Sequence, residues 1–273
     1  MKLFQFATAL AALAILGACG SSNNRPADQN SDKLEFRTYS CSKAFILEDT
    51  AQEFCSDSDL VVCNSASVIM PEQLLGRNID NLQRRIIELA FDTVCADPLT
   101  AMNEALRRGA ESIGYSVVET TDTTARESAE GFASVEGNIL NLTDKRLTYC
   151  INRQYYYPGA AHGMYSRNYI TYDLTDGDIV SLESLFTPNG LEQLPTYIGN
   201  RAKRLVAQLG PTTITSLPEE GNFYISLNDE IVFVYQPYEV ASYAQGIINV
   251  PFYPYELSEL LSPQGLKFFG IDR

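Results

Sequence analysis

The sequence predicts an α+β fold, antiparallel sheets with packed helices, from three observations. β-rich runs come first, two helix-period stretches follow, and mostly antiparallel strands with one inserted helix complete the chain. Regular strand-helix alternation, the sign of a wound parallel sheet, is missing. Residues 34–45 and 59–70 read as two strands around the polar stretch 48–58, with Pro71 closing the second. Ile79, Leu82, Ile86, Leu89, Ala90 and Val94 recur at helical spacing and predict an amphipathic helix over 78–95. Asp97 and Pro98 form an N-cap followed by proline at the first helical position. The second helix then turns Leu99, Met102 and Leu106 inward, and Gly109 and Gly114 mark its end. From Tyr115 the period shortens. Residues 147–157 alternate as a half-exposed antiparallel strand, and 164–174 form another. Asp176-Gly177-Asp178 is turn chemistry before a returning strand over 179–185. A third helix over 191–209 places Leu194, Ile198, Leu205 and Leu209 on one face, and Gly210-Pro211 stops it. Residues 223–227 and 231–235 flank a hairpin loop, 247–252 is a last strand, and 255–261 a short helix.

Lys2 followed by the apolar stretch 3–16 has the layout of a secretory signal, and it is too short to span a bilayer, which takes roughly 20 apolar residues. Leu16-Gly17-Ala18-Cys19 resembles the bacterial lipobox, which implies cleavage after residue 18 and a lipid on Cys19 that holds the chain to a bilayer. Gly20 after the cysteine resembles the outer-membrane sorting pattern of hosts with two membranes. Residues 19–33 are polar and read as a flexible tether. The remaining residues, about 240, suffice for one large or two small domains, and we expect modules over 34–115 and 116–273. No second apolar segment of spanning length follows, so we expect no cytoplasmic part.

The net charge of -14 is spread along the chain, which makes nucleic acid a poor partner and a basic protein a favourable one. With Cys19 lipidated, Cys41, Cys55, Cys63, Cys95 and Cys150 remain. An exported chain without C-x-x-C spacing points to disulfides rather than a metal, with at least one bridge expected among the first four. The chain has a single histidine, His162, whereas hydrolytic zinc usually takes two or three, and nothing here resembles a nucleophile elbow. No cofactor is implied. A histidine fixing a glycine-containing turn, or making a binding contact, is the plainer reading. Thirty-four carboxylates make some close pair inevitable, so pairing alone is weak support for glycosidase chemistry. The 16 tyrosines, concentrated late in the chain, suit sheet packing and also recognition surfaces.

Two blocks together resemble a known family. Tyr157-Pro158-Gly159-Ala160-Ala161-His162-Gly163, the strand at 169–177 and Leu182-Glu183-Ser184-Leu185-Phe186 form one; Asn222-Phe223-Tyr224 and Pro237-Tyr238-Glu239 with Tyr243-Ala244-Gln245-Gly246 form the other. They are similar to RsiV-type extracellular domains over about residues 130–262, while 34–115 resembles the module that precedes such domains in RsiV and in PdaC-type deacetylases. Ala160 stands where the pattern has glycine. The resemblance implies an α+β ectodomain that binds lysozyme; neither the anti-sigma segment nor the deacetylase domain has a counterpart here. The expectation is a non-enzymatic envelope lipoprotein that binds lysozyme, as a basic protein, or a cell-wall glycan. Its binding face would hold Tyr157, Gly159, His162, Pro237, Tyr238, Glu239 and Tyr243. The alternative is an envelope hydrolase acting on peptidoglycan or polysaccharide through carboxylates, centred near His162 and Asp173.

Overall fold

The computed structural model describes residues 33–48, 60–113, 116–205 and 214–272. Cys19, the tether to residue 32, Cys55, Gly114, Leu209 and Gly210-Pro211 lie outside them. β1 (Leu34–Glu48) and β2 (Leu60–Leu74) form a long antiparallel pair. β2 runs through Pro71 rather than ending there. The missing N–H falls beside a register shift at Glu35/Phe36, beyond the reach of the strand on the other side, so no ladder bond is lost to a second neighbour. α1 (Asp80–Phe91) buries Leu82, Ile86, Leu89 and Ala90 and is shorter than the predicted 78–95, because Asp92 turns left-handed at φ 49°. α2 (Pro98–Glu111) starts as its cap predicts, with the Asp97 carboxylate accepting from Thr100 N at 2.8 Å. Met102 and Leu106 point inward, but Leu99, in the first turn, is exposed. Gly109 lies inside the helix, where its bare Cα lets Asn64 approach. Asn64 donates to Leu106 O at 2.9 Å and accepts from Ala133 N at 2.9 Å, joining helix to sheet with no unmet polar group.

β3 (Ser116–Thr120) returns beside β1, α3 (Thr123–Glu127) follows, and β4 (Gly131–Leu142) pairs parallel with β2. β5 (Arg146–Tyr156), β6 (Met164–Asp173) and β7 (Asp178–Ile179) continue antiparallel, giving the order β3-β1-β2-β4-β5-β6-β7. One sheet thus takes β1 and β2 from the first expected module and β3 to β7 from the second. The first six residues of β5 are buried on both faces instead of half-exposed. Leu147, Tyr149 and Ile151 face the core beneath α1 and α2, and the intervening face is covered by a second layer, where Thr148 Oγ1 donates to Ile225 O at 3.0 Å.

That layer begins where a returning strand over 179–185 was expected. Ser181 caps a helix instead, through a reciprocal side-chain box with Ser184, and α4 (Leu182–Leu185) follows. α5 (Pro188–Leu205) turns Leu194, Ile198 and Ala202 inward. β8 (Phe223–Ile225), β9 (Ile231–Tyr235) and β10 (Ile248–Phe252) make a three-stranded antiparallel sheet. The expected helix over 255–261 is a single 3-10 turn at Pro254–Leu257, and a helix not anticipated, α6 (Pro263–Phe269), ends the described chain. The fold is thus α+β with two apolar cores, one under α1 and α2, the other among α4, α5 and the small sheet.

Cys41, Cys63, Cys95 and Cys150 are free thiols, so no expected bridge forms among the described cysteines. The strand register explains two of them. Cys41 pairs with Ala66 and Cys63 with Ala44, an offset of about 10 Å along the ladder, beyond disulfide reach. Cys41 Sγ meets Asn103 Oδ1 of α2 instead, at 3.5 Å.

Candidate functional site

Two loops meet at one end of the molecule. The β5–β6 hairpin carries Tyr157-Pro158-Gly159-Ala160, where Ala160 N donates to Tyr157 O at 3.0 Å. Proline second and Gly159 third at φ 82° make a type II turn. Ala160 keeps a negative φ, so its side chain is tolerated where the family pattern has glycine. The segment after β9 repeats the turn as Gln236-Pro237-Tyr238-Glu239, with Glu239 N donating to Gln236 O at 3.1 Å. Here a tyrosine occupies the position that favours glycine, at φ 70°. Left-handed backbone costs a non-glycine residue about 1–2 kcal/mol, and surrounding bonds must hold it. They do so twice. The Glu239 carboxylate accepts from Gln236 N and Glu219 N, both at 2.7 Å, and the Gln236 amide bonds the Arg167 backbone through N–H at 3.0 Å and O at 2.7 Å.

The strained turn projects the Tyr238 ring outward, 56% exposed. Its hydroxyl lies 3.1 Å from His162 Nε2, while His162 Nδ1 is 2.9 Å from Gly163 O. A carbonyl only accepts, so Nδ1 carries a proton, and in the neutral ring Nε2 accepts from the tyrosine. The His162 ring stacks on Tyr243 at 4.1 Å, Tyr238 lies 5.7 Å from Tyr243, and Tyr165 meets Tyr243 edge-on at 5.7 Å. Gly246 sits at φ 68° and ψ -154°, a conformation that residues with a side chain rarely adopt, and a Cβ there would lie 2.9 Å from the Tyr165 hydroxyl.

Of the residues singled out in the sequence, the structure brings His162, Pro237, Tyr238 and Tyr243 together, and Gly159 shapes the adjoining turn. Tyr157 is elsewhere. It stacks on Tyr155 at 5.0 Å on the helix side of the sheet, near Ser112 at the end of α2. Glu239 is committed internally; burial pushes its carboxyl above the ordinary value, partly offset by the two backbone N–H groups. The acid tied to this corner with an exposed side chain is Glu219, whose backbone N–H the Glu239 carboxylate holds. Asp173 stands at the far end of β6 from His162, about 30 Å away for a ten-residue strand, and caps its own turn through Thr175 N at 2.7 Å. The two therefore do not share a catalytic centre. Sequence reasoning missed Tyr165, Gln236 and Arg167, although Gln236 directly precedes the turn proline.

Comparison with known proteins agrees with the α+β architecture and goes one step further. Residues 183–255, which include the Tyr238 and Tyr243 loop, match the family described as "Protein of unknown function (DUF3298)". The chain resembles the crystal structure of a DUF3298 family member from Bacteroides fragilis, with TM-score 0.62 and 17% identity over 89% of this chain and 99% of that one. It also resembles a DUF3298 family protein from Pseudomonas aeruginosa, with TM-score 0.56 and 16% identity over 86% of this chain and 97% of that one. At these identities the likeness is one of fold. No curated protein matches the chain.

Proposed function

We propose that this protein is an exported envelope lipoprotein, anchored by Cys19, that binds a basic protein of lysozyme type through the His162–Tyr238–Tyr243 face. The observation that carries the reading is the exposed Tyr238 held in a conformation that favours glycine. Rigid aromatic side chains at an interface centre supply contact area at little entropy cost, and the exposed Glu219 beside the turn suits a cationic partner. The resemblance to RsiV-type ectodomains points the same way.

Titration calorimetry with lysozyme tests it. Binding should weaken as salt rises, and Tyr238→Gly should cost about 1–2 kcal/mol of affinity or more while leaving stability unchanged or improved. A tyrosine that merely packs the turn gives the opposite pattern, lower melting temperature with affinity intact. Absence of lysozyme binding at low salt removes the lysozyme reading and leaves a cell-wall glycan to be titrated on the same face. For the anchor, Cys19→Ser should accumulate unprocessed precursor or release the chain from the membrane fraction; unchanged attachment would refute lipidation.

A further inference from the structure

At the opposite end of β5 and β6 from the aromatic face lies a cleft of about 430 Å³, within the size range of small-ligand sites. Three cations and three carboxylates line it: Lys145 and Arg146 at the start of β5, Lys267 on α6, Asp173 ending β6, Asp176 in the turn and Asp178 on β7. Leu185 and Phe268 add an apolar wall. Arg146 is the unusual member, its side chain only 6% exposed. Nη2 donates to the Asp229 carboxylate and to Ser226 O at 3.4 Å, but the Nε–H is buried without a partner. An unmet donor on a buried cation is expensive unless something else favours it. The other charges are unevenly committed. Asp173 accepts from Thr175 N, and Asp178 accepts from Asn81 Nδ2 and Ile179 N at 2.7 and 2.8 Å. Asp176 and Lys267 face each other at a loose 3.8 Å, and Lys145 has no ion pair among the described residues.

We propose that this cleft binds a small zwitterion, a free amino acid or a very short peptide, with its carboxylate toward Lys145 and its ammonium toward Asp176. Lining charge of both signs disfavours a ligand of a single sign, because part of the cleft repels it, whereas a zwitterion meets both signs. The apolar wall leaves room for a short aliphatic side chain.

Titration of the whole chain with alanine, alanylalanine, alanylalanine amide and N-acetyl-alanylalanine, followed by amide chemical shifts, tests the assignment. Saturable binding of alanine or of alanylalanine is expected, and the one that binds tells a free amino acid from a peptide. Amidation or acetylation should each weaken alanylalanine by about tenfold or more. Lys145→Glu, at an exposed position, should weaken binding by about as much with the melting temperature unchanged. The proposal is overturned if neither zwitterion saturates, if a blocked form binds equally well, or if Lys145→Glu leaves affinity unchanged. Tyr238→Gly should not affect this binding, so the cleft and the aromatic face stand or fall separately.

Discussion

Phe233→Ala should destabilise the protein by about 3–5 kcal/mol, the usual cost of emptying a buried aromatic site. Phe233 is fully buried on β9, the central strand of the small sheet, with the Phe252 ring edge-on at 6.0 Å and the Phe186 ring at 6.4 Å. It therefore lies where strand β10 and the end of α4 converge, and neither can collapse into the space without breaking its own packing. Urea denaturation measures the effect, and a loss below about 1 kcal/mol would show that the second core relaxes far more freely than close packing allows.

Asn222→Ala should cost about 1–3 kcal/mol although it removes no apolar surface. Asn222 is 5% exposed and spans the two sheets: Nδ2 donates to Arg167 O at 2.7 Å and toward Val234 O at 3.5 Å, and Oδ1 accepts from Tyr169 N at 3.1 Å. Beside it Tyr169 stacks on Tyr224 at 4.5 Å, so water has little access to replace the lost partners. Truncation leaves the Tyr169 N–H on β6 unmet, while Arg167 O keeps its bond from the Gln236 amide. Hydrogen exchange gives a local readout, because the Tyr169 amide should lose protection relative to the ladder amides of β5. Equal protection in both proteins would mean that water takes over the role of the side chain.

The first half of the fold was legible because its signals are local. Asp97-Pro98 names a helix start, and Leu82, Ile86 and Leu89 name its neighbour's buried face. What escaped was context. The polar and charged residues of β5, Arg146 and Thr148, look like a solvent face in one dimension and become a docking face only once the small sheet covers them. α6 was a different case. Ser262 caps it by accepting from Gly265 N at 2.9 Å, Pro263 occupies its first turn and Gly270 ends it at φ 64°, a start and stop signal that the sequence carries in plain view over seven residues. At the site, tyrosines in two proline turns could be read as neighbours only through the block pattern, and the face on which Tyr157 falls depends on strand parity set by pairing with β6.

The one parallel seam in the large sheet sets the order in which the molecule can be built. β1 with β2, and β4 with β5 and β6, are neighbours in sequence and can zip as they emerge. Val62 meets Gly131 only after both large helices and β3 have passed. Until then one edge of β2 presents unpaired backbone groups, the arrangement that recruits other chains. Closing that seam late carries an entropic cost that the hairpins avoid. A nascent chain paused between β2 and β4 is therefore the species most exposed to aggregation.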